Sequence, residues 1–320
     1  MMKKVTLITT GGTIASKDIG GGLLSSGALS GEQLAALCKL PDDIEIKIVD
    51  LIQVPSMFMD FEKMGVLRAA VLNELNDESV SGIVITHGTD SLEETAYFLD
   101  VTIDNKKPVI VTGSQRSPED EGTDVYSNLR NSIYAAAAEI LKDAGTVAVF
   151  NERIYSAKYV KKVHASNLQG FHSFGYGYLG IIDNDVVNIY QKSVNHECYP
   201  LENPLPRVDI IKCYTGADGF LIEAAVQASA KGIVLEGAGR GQAAPKMVDA
   251  IQTALDKGIA VVMTTSAEEG HVHPSYSYVG SGHDLMSRGV ILGRDFDSKK
   301  ARIKLAVLLS NFEEVTQDLF

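Results

Sequence analysis

Short continuous runs of aliphatic and β-branched residues alternate with stretches of helical period through the first half of the chain. Residues 5–8, 83–86, 109–112 and 147–150 are such runs. A strand without polar alternation is the mark of burial on both faces of a parallel sheet. Between them, Leu92, Ala96 and Leu99 share one helical face, and Leu129, Ile133, Ala136 and Ile140 share another. Ser91 and Glu94 have the spacing of a capping box, which predicts a helix beginning just after Asp90. Strand–helix alternation implies right-handed crossovers and an α/β layer fold. Residues 179–190 break the pattern. Two strand-like runs joined by Asp183-Asn184-Asp185 predict an antiparallel hairpin at the sheet edge.

From Asn195 to Pro206 the chain carries three prolines and no helical period, the composition of a linker. The alternation then resumes on a smaller scale. Strands are expected at 208–213, 233–235, 260–264 and 290–292, and helices at 220–230, 247–257 and 299–310. The expected organisation is therefore a larger N-terminal α/β domain, residues 1–192, with a mostly parallel sheet and an edge hairpin. A linker at 193–207 leads to a smaller C-terminal α/β domain with a parallel sheet, residues 208–320. A boundary near residue 200 is expected, and no internal repeat stands out.

Composition narrows the functional classes. With 320 residues, 45% of them hydrophobic and 22% charged, the chain has ordinary globular usage and enough apolar material for real cores. A formal net charge of -12 opposes binding to nucleic acid or to anionic membrane surfaces. Cys38, Cys198 and Cys213 are odd in number and contain no C-x-x-C pair, so neither a zinc site nor a disulfide scaffold is indicated. Buried thiols in a reducing compartment fit best. Met1-Met2-Lys3-Lys4 imitates the start of a signal peptide, but the apolar run behind it is short and ends at Gly11-Gly12. No later stretch has the apolar length of a bilayer span. The expected location is the cytoplasm.

The chemistry gathers where the first-half strands end. One strand runs into Thr9-Thr10-Gly11-Gly12-Thr13, the next into Thr86-His87-Gly88-Thr89-Asp90, and a third into Thr112-Gly113-Ser114-Gln115-Arg116. The carboxyl ends of parallel strands share one edge of an open sheet, and ligands bind in the crevice there. Thr13, Thr89, Asp90 and Ser114 are thus expected to face one pocket. Taken singly, the first turn could be only a tight strand–helix connection, and Thr89-Asp90 only a helix cap. The first turn has adjacent glycines but neither a dinucleotide fingerprint nor a P-loop, which argues against a nucleotide site. Residues 14–31 carry Gly20-Gly21-Gly22, Gly27 and Gly31 and no aromatic residue. Such a stretch beside a pocket reads as a mobile lid, or else as a plain surface loop.

Thr9-Thr10-Gly11-Gly12-Thr13-Ile14-Ala15 and Thr86-His87-Gly88-Thr89-Asp90, in this order and at this separation, resemble the two signature regions of the bacterial-type asparaginase and glutaminase-asparaginase family. The resemblance covers essentially the whole chain. It implies an amidohydrolase that converts L-asparagine, and in some members glutamine, to the acid and ammonia without a cofactor or metal. It implies that Thr13 attacks the amide carbon and that Thr89, Asp90 and Lys162 complete the catalytic group. Ser56 is matched to the serine that holds the substrate α-carboxylate, with Met57, Gly88, Thr89 and Asp90 also lining the substrate. The Ser114 backbone carbonyl is matched to the position that holds the leaving amide. A homodimer or homotetramer is implied as the assembly. One tension is chemical: Asp90 favours a charged lysine, whereas a base must be neutral.

Three stretches depart from the family pattern. The mobile loop, which usually carries a tyrosine, reads Gly22-Leu23-Leu24-Ser25-Ser26. Met57-Phe58-Met59 follows the binding serine where a polar residue is usual. A glutamate often lent by a neighbouring subunit is missing from Pro274-Ser275-Tyr276-Ser277-Tyr278-Val279-Gly280, where Tyr276 and Tyr278 are the candidates to replace it. Weakened substrate recognition follows, and with it weak glutaminase activity. The competing readings are a broader glutaminase-asparaginase, the amidase-like subunit of a tRNA-dependent amidotransferase, and a non-catalytic binder of small amino acids. His271, His273 and His283 lie in a Gly/Ser-rich loop without metal-ligand spacing, and read as solvated or locally satisfied side chains. His87 is expected to orient its own turn by hydrogen bonding, and Arg116 either to hold the pocket loop or to make a surface ion pair.

Overall fold

A computed structural model describes residues 2–194 and 196–320; Met1 and Asn195, which falls within the expected linker, lie outside the described residues. The chain divides into two compact units, one ending at Cys198 and the other running from Tyr199 to Phe320.

The first unit is built on an eight-stranded sheet. Its five parallel strands lie in the spatial order Ile44–Val54, Lys3–Gly11, Val80–Thr86, Val109–Thr112, Thr146–Phe150. Arg153–Ser156, Gly180–Asp183 and Val186–Ile189 extend the sheet antiparallel beyond the last of these. Alternate residues on the central strands bury two different faces. Val5, Leu7, Val84, Ile110 and Val147 pack with Leu129 and Ile133 of helix Val125–Ala136. Ile83, Ile85, Val109 and Val111 are equally buried on the other face, and helices Phe61–Leu75 and Leu92–Thr102 pack against these strands. The strands anticipated from continuous apolar runs are therefore the doubly covered ones.

The strand order places the functional edge. From Lys3–Gly11 the chain first goes to one side, to Ile44–Val54, and then crosses to the other side, to Val80–Thr86. Reversal at this point opens a crevice beyond the carboxyl ends of those strands, the usual ligand position in a doubly wound sheet. Both threonine- and glycine-rich turns leave the sheet at that edge.

The expected edge hairpin is present. Asn184 and Asp185 occupy left-handed φ of 49° and 66° between its strands, the geometry that a two-residue turn matched to strand twist requires. Two of the elements that were not anticipated flank the first strand's side of the sheet or pack on it. Ile44–Val54 alternates polar and apolar residues because it is the edge strand, half-buried along its length, so a search for continuous apolar runs passes over it. Helix Phe61–Leu75 buries Met64, Leu67, Val71 and Leu75 at helical spacing.

The capping box at Ser91 is not formed. Ser91 is the N-cap of Leu92–Thr102, but its side chain makes no capping bond. Its hydroxyl donates instead to Ser56 O at 2.7 Å, because Ser56 is buried and its carbonyl needs a partner. The second predicted helix begins a turn earlier than its first core residue, at Val125, and ends at Ala136. Ile140 lies beyond it in a separate 3-10 turn and is exposed.

The second unit carries a four-stranded parallel sheet, in the order Val208–Lys212, Gly232–Gly237, Ala260–Thr265, Ile291–Leu292. Its helices include Phe220–Gln227, Val248–Asp256 and Ser298–Asn311. Its core is formed by Ile211, Ile222, Ile233, Leu235, Ile251 and Met263, among others. The α/β class and the mostly parallel sheets agree with the sequence pattern in both units.

Candidate active site

Gly11 and Gly12 end the first strand with φ of 94° and 84°, a region open to glycine and strained for other residues. The chain then tightens into the 3-10 turn Thr13–Ala15, closed by Ser16 N–H donating to Thr13 O. Gly12 touches the second signature turn: a Cβ on it would collide with Cα and N of Gly88. Gly88 lies in turn against Ser56, whose Cβ and Oγ would be 2.8 Å from a Cβ at position 88. A Cβ at Gly113 would strike the carbonyl oxygen of His87. Glycine at these positions lets four strand exits close on one another. Thr10 Oγ1 adds a tie, donating to Thr86 O at 2.8 Å.

Lys162 reaches this edge from a short strand, Lys161–Lys162, paired antiparallel with Phe171–His172. Its Nζ donates to Thr89 Oγ1 at 2.8 Å and to Asp90 Oδ1 at 2.6 Å. The Lys162 side chain is 12% exposed and that of Asp90 61%. An ion pair with so exposed a partner contributes little to stability, so position is its more telling property. The backbone N–H of Lys162 donates to Glu93 Oε2 at 2.6 Å, and Glu93 is buried in the first turn of helix Leu92–Thr102. Thr89, Asp90 and Lys162 thus form one cluster. Thr13 is half-buried in the turn next to it, Thr89 and Ser56 are buried, and Met57 and Phe58 are exposed beside Ser56.

Ser114 is fully buried and its hydroxyl donates to Arg116 O at 2.6 Å, so the side chain is spent on its own loop. That loop is gripped from helix Val125–Ala136 and its N-cap. The Asp124 carboxylate accepts from the N–H groups of Gln115 and Arg116, and Asn128 Nδ2 donates to Gly113 O. Arg116 donates to the carbonyls of Glu121 and Gly122. It holds the loop, in place of the alternative surface ion pair.

His87 is buried between two fixed partners. Nδ1 lies 2.8 Å from Gly88 O and Nε2 3.0 Å from Thr95 Oγ1. A carbonyl only accepts, so Nδ1 carries the proton and Nε2 accepts from the Thr95 hydroxyl. Burial pushes the imidazole pKa down from 6.5 to about 4, and its bond to the Gly88 carbonyl opposes the shift only weakly. A neutral His87 therefore locks the turn that carries Thr89. The unfolded chain takes up the proton below 6.5 and the native one only near 4. Stability from this group is intact above pH 6.5 and falls as pH drops to about 4, by about 3 kcal/mol. Urea unfolding of the wild type and of His87→Gln, at pH 7 and pH 4.5, should give a smaller acid loss in the variant; equal losses would contradict this account.

Residues 14–31 form an ordered feature in place of a plain loop. Lys17–Gly20 and Leu23–Ser25 pair as an antiparallel ribbon. Ser26 Oγ accepts from Gly12 N–H at 3.1 Å, and Glu119 accepts from Asp18 N–H at 3.0 Å. Ile19 and Leu23 are each about two-thirds exposed on it, and Leu23 lies in the stretch that lacks the family's usual tyrosine.

Sequence reasoning assigned no role to Gln115, Asp124, Asn128 or Glu93. Gln115 lies within one of the strand exits and could have been singled out there. Glu93 looks like an ordinary acidic residue of a helix first turn, and nothing local marks Asp124 or Asn128 as loop anchors.

Comparisons with known proteins identify the family. The family described as Asparaginase, N-terminal matches residues 4–195, and the Glutaminase/Asparaginase C-terminal domain matches residues 207–318. The chain is 56% identical over 320 residues to the L-asparaginase of Bacillus licheniformis, covering all of this chain and 99% of that protein. It is 33% identical over 318 residues to L-asparaginase 2 of Bacillus subtilis (strain 168), covering 97% of this chain and 83% of the relative. It is also 29% identical over 330 residues to L-asparaginase 2 of Escherichia coli (strain K12), covering 99% of this chain and 91% of that protein. With both family domains matched and one relative alike from end to end, the chain belongs to the asparaginase family.

Proposed function

We propose that this protein hydrolyses the side-chain amide of L-asparagine to L-aspartate and ammonia, with the Thr13 hydroxyl as nucleophile. The observation that carries the reading is the Thr89–Asp90–Lys162 cluster set against the Gly12–Gly88 contact at the sheet's switch point. The 56% identity to an L-asparaginase supports the choice of substrate.

A threonine hydroxyl is a poor nucleophile until a neighbour removes its proton. In the proposed reaction Thr13 Oγ1 bonds to the amide carbon and its proton passes to the threonine–lysine–aspartate group. The carbonyl oxygen gains negative charge and is held by backbone N–H groups around Thr13 and Thr89. Gly12 is not among these donors, because its N–H already serves Ser26 Oγ. Each such donor is worth about 3–4 kcal/mol of barrier in comparable sites. The C–N bond then breaks, the proton returns to the leaving nitrogen, and ammonia departs. Water attacks the Thr13 ester in the second half, giving the new carboxylate and restoring the hydroxyl. Ser56 holds the substrate α-carboxylate, and the Ser114 carbonyl holds the amide nitrogen. Lys162 acts through its positive charge as well as through hydrogen bonding, which eases the conflict between its pairing with Asp90 and a role as base.

The assembly we propose is a homodimer or homotetramer, and the location the cytoplasm, a reducing compartment in which the thiols of Cys38, Cys198 and Cys213 need no disulfide partner. Among the described residues, no helix is long and apolar enough to cross a membrane.

Steady-state ammonia release from L-asparagine, L-glutamine and their D-forms tests the reading. L-asparagine should be turned over, with kcat/KM for L-glutamine lower by at least about tenfold. Exposed Met57 and Phe58 beside Ser56 offer no polar group to position a longer side chain. Comparable kcat/KM values would remove the preference, and absence of turnover with a measurable affinity would favour the non-catalytic binder.

A further inference from the structure

We infer that Gln115 is a positioning residue that sets the direction of the Thr89 hydroxyl proton; this rests on the catalytic assignment of Thr89 and Lys162 proposed above. A hydroxyl has one proton to give and two lone pairs to receive. Lys162 Nζ donates into one lone pair of Thr89 Oγ1, at 2.8 Å, while its bond to Asp90 holds it in place. An ammonium group offers donors only, so the Thr89 proton must point elsewhere. Gln115 Oε1, 3.4 Å from Thr89 Oγ1, is the acceptor that takes it. At that length the bond is weak, and its worth lies in direction.

Gln115 is held for this purpose from several sides. Its backbone N–H donates to both oxygens of Asp124, at 3.0 and 3.2 Å. Its amide nitrogen rests against Gly170, where a Cβ would collide with it. That nitrogen is buried and has no hydrogen-bond partner among the described residues. A buried, unpaired amide costs stability, and methionine would fill similar space without the cost. Fold stability therefore does not account for glutamine at this position, whereas the contact of its oxygen with Thr89 does.

The chemical consequence is a defined role for Thr89. With its proton turned to Gln115 and one lone pair taken by Lys162, the remaining lone pair is open to accept a hydrogen bond from the reacting group. Without the glutamine oxygen, the Thr89 proton swings into that free direction, and the hydroxyl meets substrate as a donor.

The test compares ammonia release from L-asparagine by the wild type, Gln115→Met, Gln115→Glu and Thr13→Ala, with unfolding midpoints as a check on folding. Gln115→Met preserves volume and should lower kcat about tenfold while KM stays within about twofold. Gln115→Glu keeps an acceptor oxygen and should retain kcat within about threefold of wild type. A packing role predicts wild-type kcat for Gln115→Met. That result, or equal losses in the two Gln115 variants, overturns the inference. If the wild type turns over and Thr13→Ala does not, such a result leaves the assigned activity standing; a wild type that releases no ammonia removes both.

Discussion

Thr13→Ala is expected to release no measurable ammonia from asparagine, a loss of about four to six orders of magnitude in kcat, while substrate binding persists. The size follows from the chemistry: removing a nucleophile that forms a covalent intermediate removes the reaction path, and comparable deletions elsewhere cost this much. The site gives a reason to expect retained binding. The groups assigned to hold the substrate, Ser56 and the Ser114 backbone, lie on other strand exits. Alanine at 13 also leaves the backbone of the 3-10 turn unchanged, since that turn is closed by Ser16 N–H on the Thr13 carbonyl. Steady-state kinetics with calorimetric titration of aspartate separates the two effects. Turnover that survives within a hundredfold of wild type would transfer the nucleophile to another hydroxyl, and Thr89 would be the next to replace.

Gly12→Ala should be nearly as damaging, and for a reason remote from the reaction chemistry. Gly12 combines φ 84° with ψ -178°, a backbone region essentially restricted to glycine. Its missing Cβ is also occupied space, since that atom would collide with the Gly88 backbone. Neither neighbour is a flexible side chain that could move aside. Backbone strain and overpacking together should cost about 2–5 kcal/mol, and the turns carrying Thr13 and Thr89 would be pushed apart. A displacement of an ångström at a catalytic group costs on the order of 100-fold in rate, so kcat should fall by at least that much in whatever fraction still folds. Gly21→Ala is the control. It also replaces a glycine of positive φ, 65°, but nothing lies within 4 Å of its Cβ position. It should lose only about 1 kcal/mol, with kcat little changed. Urea midpoints and ammonia release for both variants decide the matter: equal behaviour would mean that contact between the turns does not matter.

The elements that sequence reading found and missed differ in one physical respect. Residues 83–86 and 109–112 are buried on both faces, so each position is apolar or a small threonine, and the run is visible without any partner. Ile44–Val54 lies at the sheet edge, packed by helix Gly31–Ala36 and half-buried along its length, and its alternation follows that partial cover. The Ser91–Glu94 spacing satisfied a local rule, yet the Ser91 hydroxyl found a stronger claim in the Ser56 carbonyl. That competitor lies 35 residues away and leaves no trace in the spacing.

The same division runs through the candidate site. Threonine and glycine at the strand exits are legible because a chain leaving a sheet in a tight turn needs small residues there. Lys162 came only through family resemblance. It meets Thr89 across 73 residues of sequence, carried by a two-residue strand with no periodic signal. Gln115 and Glu93 have ordinary local surroundings, and only packing shows that one faces the Thr89 hydroxyl and the other the Lys162 backbone.

Period, residue size and turn chemistry act over a few neighbouring residues, so the chain itself dictates an α/β architecture with reactive turns at strand ends. Strand order, the point of reversal and the meeting of Gly12 with Gly88 depend on burial and hydrogen bonding summed over the whole sheet. No short segment contains that sum, and for this reason the convergence of four exits and a distant lysine was decided only when the chain packed.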